Sequence, residues 1–166
     1  QSWFTPKAVE ALREPVTRLT HELVDGILSG PGEFDAHDDF AFPLPVTIIA
    51  DLLGVPKSDL EQFKHWSDIQ VAAMGSAKPE QYLPIQQEFM AYMHSHLMQR
   101  RKQIADGVSV PEDLLTLLAG ARTEEGEFTP EPDSLSVLNQ LLVGGNETTT
   151  SLVTNLIWRL LEVPER

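Results

Sequence analysis

The chain of 166 residues contains no cysteine. That excludes disulfides, thiolate metal centres and cysteine nucleophiles anywhere within it. Basic residues are scarce as well: 12 Lys and Arg stand against 25 Asp and Glu, a formal net charge of -13. Phosphate surfaces would repel such a chain, so neither nucleic acid nor an anionic membrane is expected as a partner. Long hydrophobic runs are also missing. The most apolar stretch, residues 135–161, is interrupted by Asn139, Gln140, Asn146, Glu147 and Asn155, which argues against a membrane span. The opening Gln1-Ser2-Trp3-Phe4 lacks a basic region followed by an apolar run, so no signal peptide is expected and the expected location is cytoplasmic. An opening without Met, and a close on Pro164-Glu165-Arg166 where proline should start a new helix, read as a piece of a longer protein. Residues 1–166 are expected to form a single partial domain.

What is present is helical periodicity, with 42% hydrophobic residues to supply a core. Val9, Leu12, Val16, Leu19, Leu23 and Ile27 recur at spacings of three and four and predict an amphipathic helix over residues 6–28. Ser29-Gly30-Pro31-Gly32 stops it, and residues 33–42 are acidic and irregular. A short apolar helix follows over 44–53, closed by Gly54 with Pro56 beyond, as a helix C-terminus requires. Ser58 with Glu61, and Ser109 with Glu112, have the spacing of capping boxes. They predict helices to about Met74 and from Leu114 to Ala121. Between them lies a turn-rich hinge over 75–79 and a long helix over 80–105. Glu124-Glu125-Gly126-Glu127 has turn chemistry. Thr129 with Pro130, Glu131 and Asp133 then opens a last helix over residues 131–162, roughly 45–50 Å long at ~1.5 Å per residue. The expected fold is mainly α: a multi-helix orthogonal arrangement around one long central helix, with a small β-hairpin near Glu127. Trp3, Trp158 and the phenylalanines fall at core spacings.

Within that last helix, residues 141–150 read Leu-Leu-Val-Gly-Gly-Asn-Glu-Thr-Thr-Thr. Propensity opposes a helix here by roughly 3–4 kcal/mol, at about 1 kcal/mol per Gly and about 0.5 per Thr. Gly144 and Thr148 share a helix face, so Gly144 leaves a notch in which a flat ligand can touch backbone. The Thr148 hydroxyl can reach the Gly144 carbonyl and loosen the turn, and Glu147 adds a carboxylate one residue away. Hydroxyl, carboxylate and water would make a proton relay. Close packing of helices through small residues explains the same pattern equally well.

These residues resemble the oxygen-binding helix of the cytochrome P-450 family, whose pattern is Ala/Gly-Gly-any-Asp/Glu-Thr. Further stretches agree in the same order: Phe4-Thr5-Pro6 with Val9, Phe40-Ala41-Phe42-Pro43-Leu44-Pro45-Val46 through Asp51-Leu52-Leu53-Gly54-Val55-Pro56, then Phe63 and Trp66-Ser67-Asp68, and Pro111-Glu112-Asp113-Leu114-Leu115. The similarity covers essentially the whole chain. It implies that Thr148 is the alcohol that hydrogen-bonds bound dioxygen and that Glu147 helps deliver protons. It implies that Leu141, Gly144, Gly145, Thr148 and Thr149 lie against haem, and that Gln140, Val143 and Gly144 face the substrate. Residues 69–92 would roof the substrate pocket, with 75–78 as its hinge.

The implied parent is a haem-thiolate monooxygenase that activates dioxygen and hydroxylates a small apolar molecule, with electrons from a ferredoxin-type or other donor protein. The departures matter equally. The thiolate cysteine is missing from the chain, as are the family's Glu-x-x-Arg core pair, expected soon after its end, and the basic residue expected just upstream of Phe4 to bind a haem propionate. Haem iron would lack its electron-donating ligand, so haem is expected to be absent or weakly held by this stretch alone. A non-catalytic helical ligand-binding or interaction module is the alternative. Protein-ligated metal is not expected: His94 and His96, two apart on a helix, point to different faces, and His21, His37 and His65 stand alone. Asp35, Asp38 and Asp39 resemble the magnesium site of helical isoprenoid synthases only faintly and read as a solvated loop.

Overall fold

The computed structural model describes residues 5–163. Seven α-helices carry the described chain: α1 (Pro6–Ala11), α2 (Arg13–Leu28), α3 (Pro43–Leu52), α4 (Leu60–Gly75), α5 (Leu83–Ala105), α6 (Leu114–Gly120) and α7 (Glu131–Glu162). A π-turn at Ala36–Ala41 and 3-10 turns at Lys57–Asp59 and Pro79–Tyr82 join them. The mainly α expectation is met. The hairpin is present in its smallest form, a single antiparallel bridge between Arg122 and Phe128 around Gly126 at φ +86°. Residues 5–48 with 145–163 make one compact unit and residues 49–144 a second. Trp3 and the other residues outside 5–163 lie beyond the described chain.

Several boundaries differ from the periodic pattern, each for a local reason. The first helix is two. Pro15 has no N–H to give the Ala11 carbonyl and its ring crowds that carbonyl, so the chain breaks between Ala11 and Arg13. Its apolar stripe is only half covered: Leu12, Val16, Leu19, Leu23 and Ile27 are intermediate and Val9 is exposed. Pro84 likewise delays the long helix, which begins at Leu83 after a 3-10 turn. Neither capping box forms. Ser58 lies within a 3-10 turn and donates its hydroxyl to Asp59 Oδ1 at 2.8 Å. The second cap is Asp113, whose carboxylate accepts from Thr116 N at 2.7 Å. Trp158, expected in the core, is 63% exposed.

The second unit has the larger core. α4 contributes Phe63, Trp66 and Ala73; α5 contributes Phe89, Met93 and Leu97; α6 contributes Leu114, Leu115 and Ala119. Phe63 and Trp66 meet Phe89 edge-on and tilted, with ring centroids 6.2 and 5.8 Å apart. At the edge of this cluster the Tyr92 hydroxyl donates to Asp59 Oδ2 at 2.8 Å, tying the start of α4 to α5. Tyr92 lies between Trp66 and His96 in tilted ring contacts, with centroids at 4.7 and 4.3 Å.

One ion pair fixes how α5, α6 and the turn at Gly54 meet. Arg100 Nη1 donates to both carboxylate oxygens of Asp113, at 2.7 and 2.9 Å, and both residues are buried. Arg100 also bonds the Thr116 hydroxyl. Asp113 is pressed against Gly54, which follows α3 in the left-handed region at φ +68°. There Val55 N donates to Ala50 O and Gly54 N to Asp51 O, the Schellman closure that a glycine permits. A Cβ at Gly54 would lie 2.9 Å from Asp113 Cγ, so geometry as well as φ holds this position to glycine.

Two outcomes follow. Asp113→Ala strands the buried Arg100 charge and uncaps α6, and should destabilise the fold by about 3–5 kcal/mol, read from denaturant midpoints. The hydrogen bonds from Tyr92, then Ser58, hold the Asp59 carboxyl below its usual value. A carboxyl depressed in the folded state stabilises it above the unfolded value of ~3.9 and loses that contribution as pH falls through the folded value. Tyr92→Phe should therefore raise the Asp59 value in an NMR titration and make folding less sensitive to acid.

Candidate functional site

α7 is α-helical through Gly144–Thr150 without interruption, where the sequence predicts a loosened turn. At about 100° per residue, its positions sort into a front and a back. Gln140, Gly144, Glu147, Thr148 and Ser151 share the front and are all exposed. Asn146 and Thr150 lie on the back at 1% and 2% exposure. Leu141, Val143 and Gly145 are half-buried between, and Thr149 is exposed.

The front is short of side chains where it matters. A Cβ built on Gly144 meets nothing within 4 Å. The five positions assigned to haem contact (Gly144, Thr148, Leu141, Gly145 and Thr149) span an arc of about 140° by helical geometry. Gln140 and Val143, assigned to substrate, lie on the other side of Gly144. Glu147 accepts a hydrogen bond from Ser151 Oγ at 3.2 Å, and Gln140 Nε2 reaches Ser136 Oγ at 3.4 Å. Past this segment the exposed side turns apolar, with Leu152 at 68% and Leu156 at 55% exposure. A flat, largely apolar group fits a helix side built in this way. The chain has no cysteine that could ligate a haem iron.

The back of the segment carries residues to which the sequence reading gave no role. Thr150 Oγ1 donates to the Ala41 carbonyl at 3.2 Å and lies at the same distance from Asn146 Oδ1. The signal that could have found them is the i, i+4 spacing of two polar side chains opposite Thr148. Ser76, in the stretch expected to act as a hinge, accepts from Lys78 N at 3.0 Å and from Gln81 Nε2 at 3.2 Å.

His94 and His96 do diverge: His94 Nε2 lies 2.9 Å from Glu131 Oε2, and the His96 ring packs at a tilt against Tyr92. His37 is less isolated than its sequence position implies. It comes together with Asp35 and Asp38, all three exposed, with possible ligand atoms within 4.8 Å of one another. The backbone N–H groups of Asp38 and His37 hold the Asp35 carboxyl below its usual value, so these bonds already organise the π-turn.

No family model matches the chain, but individual proteins do. Cytochrome P-450 CYP107DY1 of Priestia megaterium is 32% identical over 164 residues, 98% of this chain and 38% of its own length. Cytochrome P-450 monooxygenase PikC of Streptomyces venezuelae is 35% identical over 98% of this chain and 37% of its own. Among solved structures, substrate-free CYP109E1 of Bacillus megaterium covers 98% of this chain and 42% of its own, at 32% identity and a TM-score of 0.81. The same protein in complex with testosterone matches at 34% identity over 96% of this chain and 41% of its own, with a TM-score of 0.78. The helical fold thus has its counterpart in bacterial cytochromes P-450. Over nearly its whole length the chain is similar to bacterial cytochromes P-450, and it spans about two fifths of the length of the relatives it matches.

The open space at Gly144 gives a test. Ala is the better helix former by about 1 kcal/mol, and its methyl has room, so Gly144→Ala should raise the thermal midpoint of the isolated chain. A lowered midpoint would mean that the notch is already filled.

Proposed function

We propose that this chain supplies the oxygen-activating helix and part of the substrate enclosure of a haem-dependent monooxygenase. The observation that carries the reading is the exposed front of α7. There Gly144 offers no side chain, and the Thr148 hydroxyl and Glu147 carboxylate project on either side of it. When bound, haem would supply the redox chemistry that activates dioxygen.

The roles left to this chain's residues are of three kinds. Leu141, Gly144, Gly145 and Thr149 present a nearly flat helix surface for the macrocycle to lie against. Thr148 holds a hydroxyl proton toward the notch, where it can donate to a reacting oxygen and be resupplied. Glu147 is exposed and bonded to Ser151, which suits a carboxylate that exchanges protons with solvent and passes them inward. Val143 and Gln140 border the substrate, a small apolar molecule. The solved complex of the relative CYP109E1 with testosterone supports a ligand of that size and polarity. Residues 69–92 form part of its enclosure, and electrons come from a ferredoxin-type donor or its equivalent.

The test uses the full-length holoenzyme. Thr148→Ala should leave haem bound but divert reducing equivalents from product to peroxide. Glu147→Gln should slow turnover by about a hundredfold, the lower range of what positioned proton transfer contributes. Unchanged product yield per reductant in Thr148→Ala would overturn the role given to Thr148.

A further inference from the structure

The π-turn at Ala36–Ala41 runs directly into α3, where Phe42 is already helical at φ -78° and ψ -49°. In a continuing helix the Ala41 carbonyl would accept from the residue four positions on. That residue is Pro45, which has no N–H. Ala41 is fully buried at 0% exposure, so its carbonyl needs another donor or costs about 1–3 kcal/mol unsatisfied. The donor is the Thr150 hydroxyl, 3.2 Å away and 109 positions along the chain. Thr150 is itself buried, and Asn146 one turn earlier is fixed beside it at 3.2 Å.

Thr150 therefore meets a demand created by Pro45, and it meets it from the back of the helix whose front carries Thr148 and Glu147. Positions 148 and 150 are about 200° apart around the axis. A tether on one side fixes the rotation of the other.

We infer that Thr150 is a positioning residue: by bonding the Ala41 carbonyl that Pro45 leaves without a backbone donor, it sets the rotation of α7 and so the aim of Thr148 and Glu147. This rests on the function proposed above for those two residues. Thr150 touches neither cofactor nor substrate in this role. It acts through α7, and the partner carbonyl belongs to the loop that leads into α3.

Pro45 provides the means to separate positioning from simple stability. In Thr150→Val the carbonyl loses its donor and α7 its tether. In the double variant Pro45→Ala with Thr150→Val, the backbone N–H regained at position 45 can satisfy the carbonyl, but the tether stays lost. Both are made in the full-length holoenzyme beside Thr150→Ser and Thr148→Ala. The readouts are thermal midpoint, amide hydrogen exchange over residues 145–151, and the product-to-peroxide ratio.

Thr150→Val should lower the midpoint, speed exchange over 145–151 and cut the product-to-peroxide ratio about tenfold, within the ~10²-fold that a 1 Å misplacement can cost. Thr150→Ser should restore all three. The double variant should recover the midpoint yet keep fast exchange and the low ratio. If the ratio recovers with the midpoint, Thr150 is structural only and the inference fails. It fails equally if exchange over 145–151 is unchanged in Thr150→Val. Should Thr150→Val not fold, the double variant against Thr150→Ser decides by the same two readouts. An unchanged ratio in Thr148→Ala would instead overturn the proposed function, and the exchange data would still judge the tether.

Discussion

α7 depends on one buried ridge. Ser134, Leu138, Leu142, Asn146 and Thr150 follow one another at intervals of four, and none is more than 2% exposed. A ridge spaced by four winds slowly around a helix. The penalty of two glycines and three threonines, roughly 3–4 kcal/mol, falls in its second half. Burying Leu138 and Leu142 contributes roughly 1.5–3 kcal/mol each, enough to hold helix where propensity alone would not. The polar members of the ridge keep partners: Thr150 the Ala41 carbonyl, and Ser134 the Arg101 guanidinium at 3.5 Å.

That constraint divides the helix into two jobs. Its back supplies stability and orientation, and its front is left free of bulk. Gly144 would be a poor choice for a helix designed only to be stable, since a methyl there meets nothing. It makes sense beside a flat ligand. Glu147 and Thr148 are likewise exposed, as the exchange with solvent and ligand proposed for them requires. The heaviest packing lies elsewhere, in the α4–α5–α6 core and the Arg100–Asp113 pair, so the front of α7 carries little of the stability.

Much of this was legible in the sequence because it rests on periodicity. The helices, the glycine closure after α3 and the acid-rich start of α7 all follow from spacing and turn chemistry. The Gly-Gly-Asn-Glu-Thr segment stood out by breaking propensity, which is a local signal. What escaped depended on partners far along the chain. The Ser58 and Ser109 boxes were sound local patterns, but a 3-10 turn displaced the first. In the second, α6 starts at Leu114 with Asp113 as its cap, a residue engaged at once with Arg100 and Gly54. Pro15 was a readable break masked by a strong apolar stripe. The tie from Thr150 to Ala41 spans 109 positions, and no periodicity announces it, although the proline that creates the need lies in plain view.

Three successive threonines offer a ruler for the face of α7 that meets the cofactor. In full-length protein carrying ferric haem, paramagnetic relaxation of their methyl groups reports distance to the iron. Thr148 and Thr149 should relax strongly and Thr150, on the buried back, least. Equal relaxation at all three, or fastest relaxation at Thr150, would contradict the assignment of the Gly144–Thr148 front as the oxygen-activating face.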